Sequence, residues 1–243
     1  MTTTAPVAGL TPAPKSLPAR FVGILFSPKE TFQAVAARPK VLGMLLTVSI
    51  LTGVFAALPM TTDAGKQAAI DQQVQSIKSM GFPVTDQTYD QMQKGAARLP
   101  YTTGIFTFIF IPIVSLIFAG ILFAIFNAAL GGEASYKHVY SVYIHSGVVG
   151  VVSAAVSGVV NYFSGHAGSV ANLGALLPML AEKSFVANLL GTVDIFIIWS
   201  LIVLAIGLGV LYKRRTQPIA ISLLSVYAVI ALAIAAFKSR GGA

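Results

Sequence analysis

Three polar side chains sit in or beside long apolar runs of this chain, and each invites a chemical reading and a plainer one. His145 is the one ionisable group inside the run 139–163. An imidazole there suits a proton relay or a headgroup contact, or else a hydrogen-bonded packing role. Asn127, near the end of the run 104–130, either bonds across helices or grips a substrate. Asp194 follows Gly191-Thr192, where a carboxylate binds a cation or caps the N-terminus of the next helix. Asp194 stands at the very start of its run and no carboxylate lies deeper within one to partner His145, which argues against intramembrane proteolysis and proton-coupled transport alike. His-Glu-x-x-His, the phosphate-cradling Gly-x-x-x-x-Gly-Lys-Ser/Thr and Gly-x-Ser-x-Gly are all missing. With no cysteine there is no disulfide, thiolate zinc site or cysteine nucleophile. No catalytic residue, cofactor site or metal site is therefore expected.

The elements that hold these residues are set by the solvent. The chain is 56% hydrophobic and 10% charged, against about 25% charged in a soluble domain. About 20 apolar residues in a helix cross a ~30 Å hydrocarbon core. Five runs qualify: 41–59, 104–130, 139–163, 193–212 and 218–237. The expected fold is all-α, a polytopic transmembrane bundle of five spans occupying 40–237. The run 104–130 is long enough to tilt or to extend past the bilayer, and Pro112 should kink it.

Outside the runs, 1–20 is rich in Thr, Pro and Ala and reads as a disordered tail. Residues 21–39 read as an amphipathic helix lying at the membrane interface. Ser27 would be its N-cap, Pro28 its first residue and Glu30 the far side of a capping box, with Phe32 on the apolar face and Arg38-Pro39 as the stop. The polar stretch after the first span should form a helical hairpin over 64–97. Ile70, Val74 and Ile77 share a face of its first helix, Gly81-Phe82-Pro83 breaks it, and Asp86 caps the second. Residues 164–191 read as a loop. Its apolar piece 173–180 is too short to cross and reads as re-entrant or interfacial. Residues 238–243 form a short tail.

The net charge of +8 reads as a topology signal. Lys29, Arg38, Lys40, Lys137 and the tight turn Lys213-Arg214-Arg215 fall on one side, so the N-terminus should face the cytoplasm and the C-terminus the outside. No basic stripe interleaved with aromatics is present, so nucleic acid is not an expected partner. Lys137 and His138 could touch anionic headgroups or a cytoplasmic partner, or stay solvated. Ser146, Gly150, Ala154 and Gly158 recur every fourth residue, a small-residue ridge that lets another backbone approach closely. It serves packing within the chain or a homodimer, with Gly207, Ala231 and Ala235 as plausible counterparts.

Ser27-Pro28-Lys29-Glu30-Thr31-Phe32, then Arg38-Pro39 and a first span, resembles the opening of the bacterial branch of the Yip1-domain family. So does Gly131-Gly132-Glu133-Ala134-Ser135-Tyr136-Lys137 between the second and third spans. The resemblance covers roughly 21–237. It implies a five-span protein of the bacterial inner membrane with an outward C-terminus. The Asp-Leu-Tyr-Gly-Pro-type motif of eukaryotic members is absent, so their link to Rab GTPases and vesicle traffic is not implied. The bacterial branch implies no particular activity, and the role expected here is non-enzymatic: membrane organisation, or recruitment of partners at the cytoplasmic face through Ser27, Pro28, Phe32, Gly131, Gly132, Lys137 and His138. The rival reading is a small transporter or permease-like subunit, lipid-handling in one version, with Asn127, His145 and Asp194 along a path.

Overall fold

The computed structural model describes residues 15–174 and 184–240. Within these residues the regular structure is helical, with one isolated bridge between Asn172 and Asp194. The expectations for residues 1–14 and 241–243, and for most of 173–180, lie outside the described residues.

Two short helices come first, α1 (Leu17–Phe26) and α2 (Pro28–Ala37), followed by α3 (Leu42–Ala57). A polar hairpin of α4 (Asp63–Ser79) and α5 (Asp86–Gly95) leads through the short turn Ala96–Arg98 into α6 (Leu99–Phe123). A widened π turn, Ala124–Ala129, ends that rod. Then come α7 (Tyr136–Ser146), α8 (Val148–Ser164), α9 (Phe185–Thr192), α10 (Ile195–Leu211) and α11 (Thr216–Arg240). Among the described residues three helical stretches are long and apolar enough to cross a membrane: Asp86–Ala129, Tyr136–Ser164 and Thr216–Ser239. The helices α3 and α10 are apolar but shorter.

The outer surface matches that composition. Ile105, Phe106, Ile109 and Ile113 on α6, and Ile221, Val226, Val229 and Ile230 on α11, all point outward. In water such faces would drive aggregation; against acyl chains they are the solvent-facing side. The core gathers around α7 and α8, where Val139, Val142, Ile144 and Val148 meet Ile24, Phe32, Val35, Met44, Val48 and Leu208. Where lipid supplies no hydrophobic drive, close fits at small residues do the packing. A β-carbon on Gly158 would lie 2.4 Å from the Phe55 carbonyl oxygen, and one on Gly53 would lie 3.0 Å from that of Gly104.

Several local expectations need correction. A helix already starts at Leu17, inside the stretch assigned to the tail. Ser16 is its N-cap and Pro18 lies in its first turn, the same start signal as Ser27-Pro28. The single helix expected over 21–39 is two helices broken at Ser27. Ser27 does hold the N-cap position of α2, but its side chain makes no capping bond, so no capping box forms. Its N–H instead closes α1 on the Gly23 carbonyl, 2.8 Å away. Thr85 rather than Asp86 caps α5, accepting from the Thr88 N–H. The helix α9 lies in what reads as loop.

Candidate functional site

The connector between α6 and α7 is built by its glycines. Gly131 takes φ +67, a left-handed conformation that closes a helix C-terminus and that only glycine adopts cheaply. The N–H groups of Gly131 and Gly132 return to the carbonyls of Asn127 (3.1 Å) and Phe126 (2.9 Å). Gly132 then slides beneath the Tyr212 ring. A β-carbon there would meet Tyr212 Cε1 at 2.4 Å and the Phe126 carbonyl oxygen at 2.7 Å. Tyr212 in turn stacks on Phe126, with ring centroids 4.9 Å apart.

Polar bonds lock this arrangement. Asn127 donates to the Ala134 carbonyl (2.6 Å) and accepts from the Tyr212 hydroxyl (2.6 Å). Arg214 donates to the Leu130 carbonyl (2.8 Å), satisfying an orphan acceptor at the end of the preceding helix. The Gly-Gly connector and the basic turn after α10 are thus one latch. Around it Lys137, Lys213 and Arg215 are exposed, and His138 is half-buried with its Nδ1 on Ser135 Oγ at 2.7 Å.

The helices α1 and α2 dock beside this latch. Phe32 is fully buried, seated where Gly207 leaves room: a β-carbon at Gly207 would meet Val142 Cγ1 at 2.6 Å and the Phe32 ring at 2.9 Å. Its burial excludes Phe32 from any contact surface. Gly132 is half-buried, packed beneath Tyr212 as part of the latch. Ser27 stays exposed, Pro28 is half-buried and Gly131 is exposed. Beneath α1, Arg20 is buried and its Nη1 lies 3.1 Å from His145 Nε2. His145 is fully buried, and its Nδ1 lies 2.7 Å from the Ser141 carbonyl. A carbonyl only accepts and a guanidinium only donates, so the proton sits on Nδ1 and Nε2 is the acceptor. His145 is thereby a neutral strut that orients Arg20.

At the opposite end of α10, Asp194 is buried and caps the helix. It accepts from the N–H groups of Phe196 (2.7 Å) and Ile197 (3.3 Å), and Ser169 donates to its second oxygen. Asn127, His145 and Asp194 therefore sit in three separate environments. A cavity of about 380 Å³ lies between α3, α6, α7, α8 and α10, lined mainly by Val48, Phe110, Val114, Ile144, Leu201 and Leu204, with hydroxyls from Ser115, Ser146 and Ser200. None of the three residues lines it. The small-residue ridge is divided. Gly158 meets the α3 backbone, and a β-carbon on Gly147 would touch Val48 at 3.4 Å. Gly150 faces the cavity, Ser146 bonds the Tyr143 carbonyl, and Ala154 is half-buried. The counterpart is α3, since Gly207 receives Phe32 and α11, which carries Ala231 and Ala235, packs on α9 and α10. Among the described residues no group of three or more metal-ligating side chains assembles.

Arg20, Tyr212 and Arg214 are site residues that sequence reasoning missed. Ser16 and Pro18 signal the helix that carries Arg20, but nothing local links Arg20 to His145, 125 residues away.

The chain is similar to membrane protein YknW of Bacillus subtilis (strain 168), at 25% identity over 224 residues, 91% of this chain and 92% of that one. No solved structure matches it. Residues 22–237 match the Yip1 domain. An all-helical chain with several long apolar helices, matched to that domain over most of its length, belongs to the Yip1 domain family of multi-pass membrane proteins.

Proposed function

We propose that the chain crosses the membrane five times, with its N-terminus in the cytoplasm and its C-terminus outside, and organises the membrane or recruits partners through its basic end without catalysing a reaction. Yip1-domain proteins are in general non-enzymatic membrane proteins. In this reading the shorter helices α3 and α10 also cross, completing the count. The observation that carries the proposal is the latch. Two turns far apart in sequence are tied by Tyr212–Asn127 and Arg214–Leu130, beneath exposed Lys137, Lys213 and Arg215. Fixed backbone under exposed cations makes a preorganised surface, and preorganisation lowers the entropic cost of binding. Electrostatics favour acidic partners or anionic lipid there.

Crosslinking in intact membranes tests the recruitment. Lys137→Glu reverses charge at an exposed position and leaves the latch untouched, so it should remove crosslinks that the wild type forms at this end. Gly132→Trp should remove them by springing the latch. An identical crosslink pattern in both variants contradicts the reading.

A further inference from the structure

We infer that Arg20, where α1 crosses the start of α3, binds the phosphate oxyanion of an anionic lipid headgroup. The inference requires only that this end of the bundle meets the headgroup layer, and it stands apart from partner recruitment.

A guanidinium carries five N–H donors in a planar fork. Nη1 is fully used, donating to His145 Nε2 at 3.1 Å and to the Lys40 carbonyl at 3.3 Å. The other edge, Nε and Nη2, has no partner among the described residues, and Nε is shut off from solvent. Nor does any carboxylate among the described residues pair with it. The one ion pair among the described residues is Lys66–Asp63 in the polar hairpin, and residues 1–14 contain no Asp or Glu. Burial holds the Arg20 guanidinium below the ordinary arginine value, with no opposing charge to raise it again.

A buried charge without a counter-ion is costly, and its usual remedy is a paired anion. With Nε shut off, Nη2 is the donor left within reach of an outside ligand, and one charge-assisted hydrogen bond from it receives a phosphate oxygen. His145 sits behind the opposite edge and fixes the fork's direction. The surroundings select lipid over a protein carboxylate. Leu42, two residues past the Lys40 carbonyl that Arg20 bonds, is an exposed apolar side chain, and Val22 and Phe26 are exposed on the opposite face of α1, so acyl chains meet this part of the bundle on its outer side. Headgroup phosphates lie at the edge of that layer.

The test uses the full chain in neutral detergent, with added phosphatidylglycerol, phosphatidylcholine or inorganic phosphate at matched concentration. Lipid retention is read by native mass spectrometry and folding by thermal unfolding. Phosphatidylglycerol should be retained in preference to phosphatidylcholine and should raise the unfolding temperature, while inorganic phosphate should not. Arg20→Met should cut phosphatidylglycerol retention about tenfold, the worth of one charge-assisted hydrogen bond, and abolish the preference. Arg20→Lys keeps the charge without the fork and should lose several-fold; it serves as the test if the methionine variant does not fold. Equal retention of the two lipids by the wild type, unchanged phosphatidylglycerol retention in the variants, or a shift from inorganic phosphate as large as that from lipid overturns the assignment. So does an Arg20 crosslink to a protein carboxylate in place of lipid.

Discussion

Asp194 and Arg20 are both buried ionic side chains at helix ends, and they are treated in opposite ways. Asp194 receives two N–H groups of α10 and the Ser169 hydroxyl, while its own backbone N–H donates to Tyr227, 3.0 Å away. Its charge also meets the positive end of the α10 dipole. Arg20 has one nitrogen satisfied, one shut off without a partner and one left over. A buried charge with all its sites filled belongs to the fold. One with an unfilled donor is costly to the fold until something outside the chain binds it. The difference separates an end of the bundle whose charge is answered within the chain from one whose charge is not.

Substitutions can break or sharpen that contrast. The largest effect belongs to Asp194→Ala. It removes the cap of α10 and leaves part-buried donors without partners, and should cost about 3 kcal/mol of stability in detergent unfolding. Asp194→Asn keeps a capping acceptor and should lose less. Gly132→Val forces a side chain into Tyr212 and the Phe126 carbonyl, and should cost about 2 kcal/mol. Gly131→Ala strains only its left-handed backbone, at about 1 kcal/mol. Tyr212→Phe leaves Asn127 Oδ1 without its donor and should also cost about 1 kcal/mol. The smallest change is expected at Arg20. In lipid-free detergent Arg20→Met should stay within about 1 kcal/mol of the wild type, since removing an unbalanced buried charge offsets the lost bonds. A loss there as large as that of Asp194→Ala would make Arg20 structural after all.

The long apolar helices were legible because hydropathy over about 20 residues is a strong signal. The capping role of Asp194 was legible too, since a cap is local. Hidden features had physical reasons. The first helix lies behind a Pro- and Thr-rich stretch, and only Ser16 and Pro18 mark its start. The helix α9, eight residues long, carries no periodic pattern that distinguishes it from an apolar loop. The partner of the small-residue ridge escaped because Gly158 meets backbone at Phe55, and backbone has no sequence signature. The Arg20–His145 contact and the Tyr212–Asn127 bond span 125 and 85 residues, beyond any local pattern. Phe32 read as a surface contact because an amphipathic face looks the same whether it meets lipid or protein.

The central claim is that the end bearing the latch, Lys137 and Arg20 faces the cytoplasm. The chain contains no cysteine, so single cysteines can be introduced and read against an empty background. Gln75→Cys in the polar hairpin and Lys137→Cys in the connector are both exposed positions. In intact cells treated with a membrane-impermeant maleimide, Gln75→Cys should label at once and Lys137→Cys only after permeabilisation. Labelling of Lys137→Cys in intact cells with Gln75→Cys protected would reverse the threading and contradict the account.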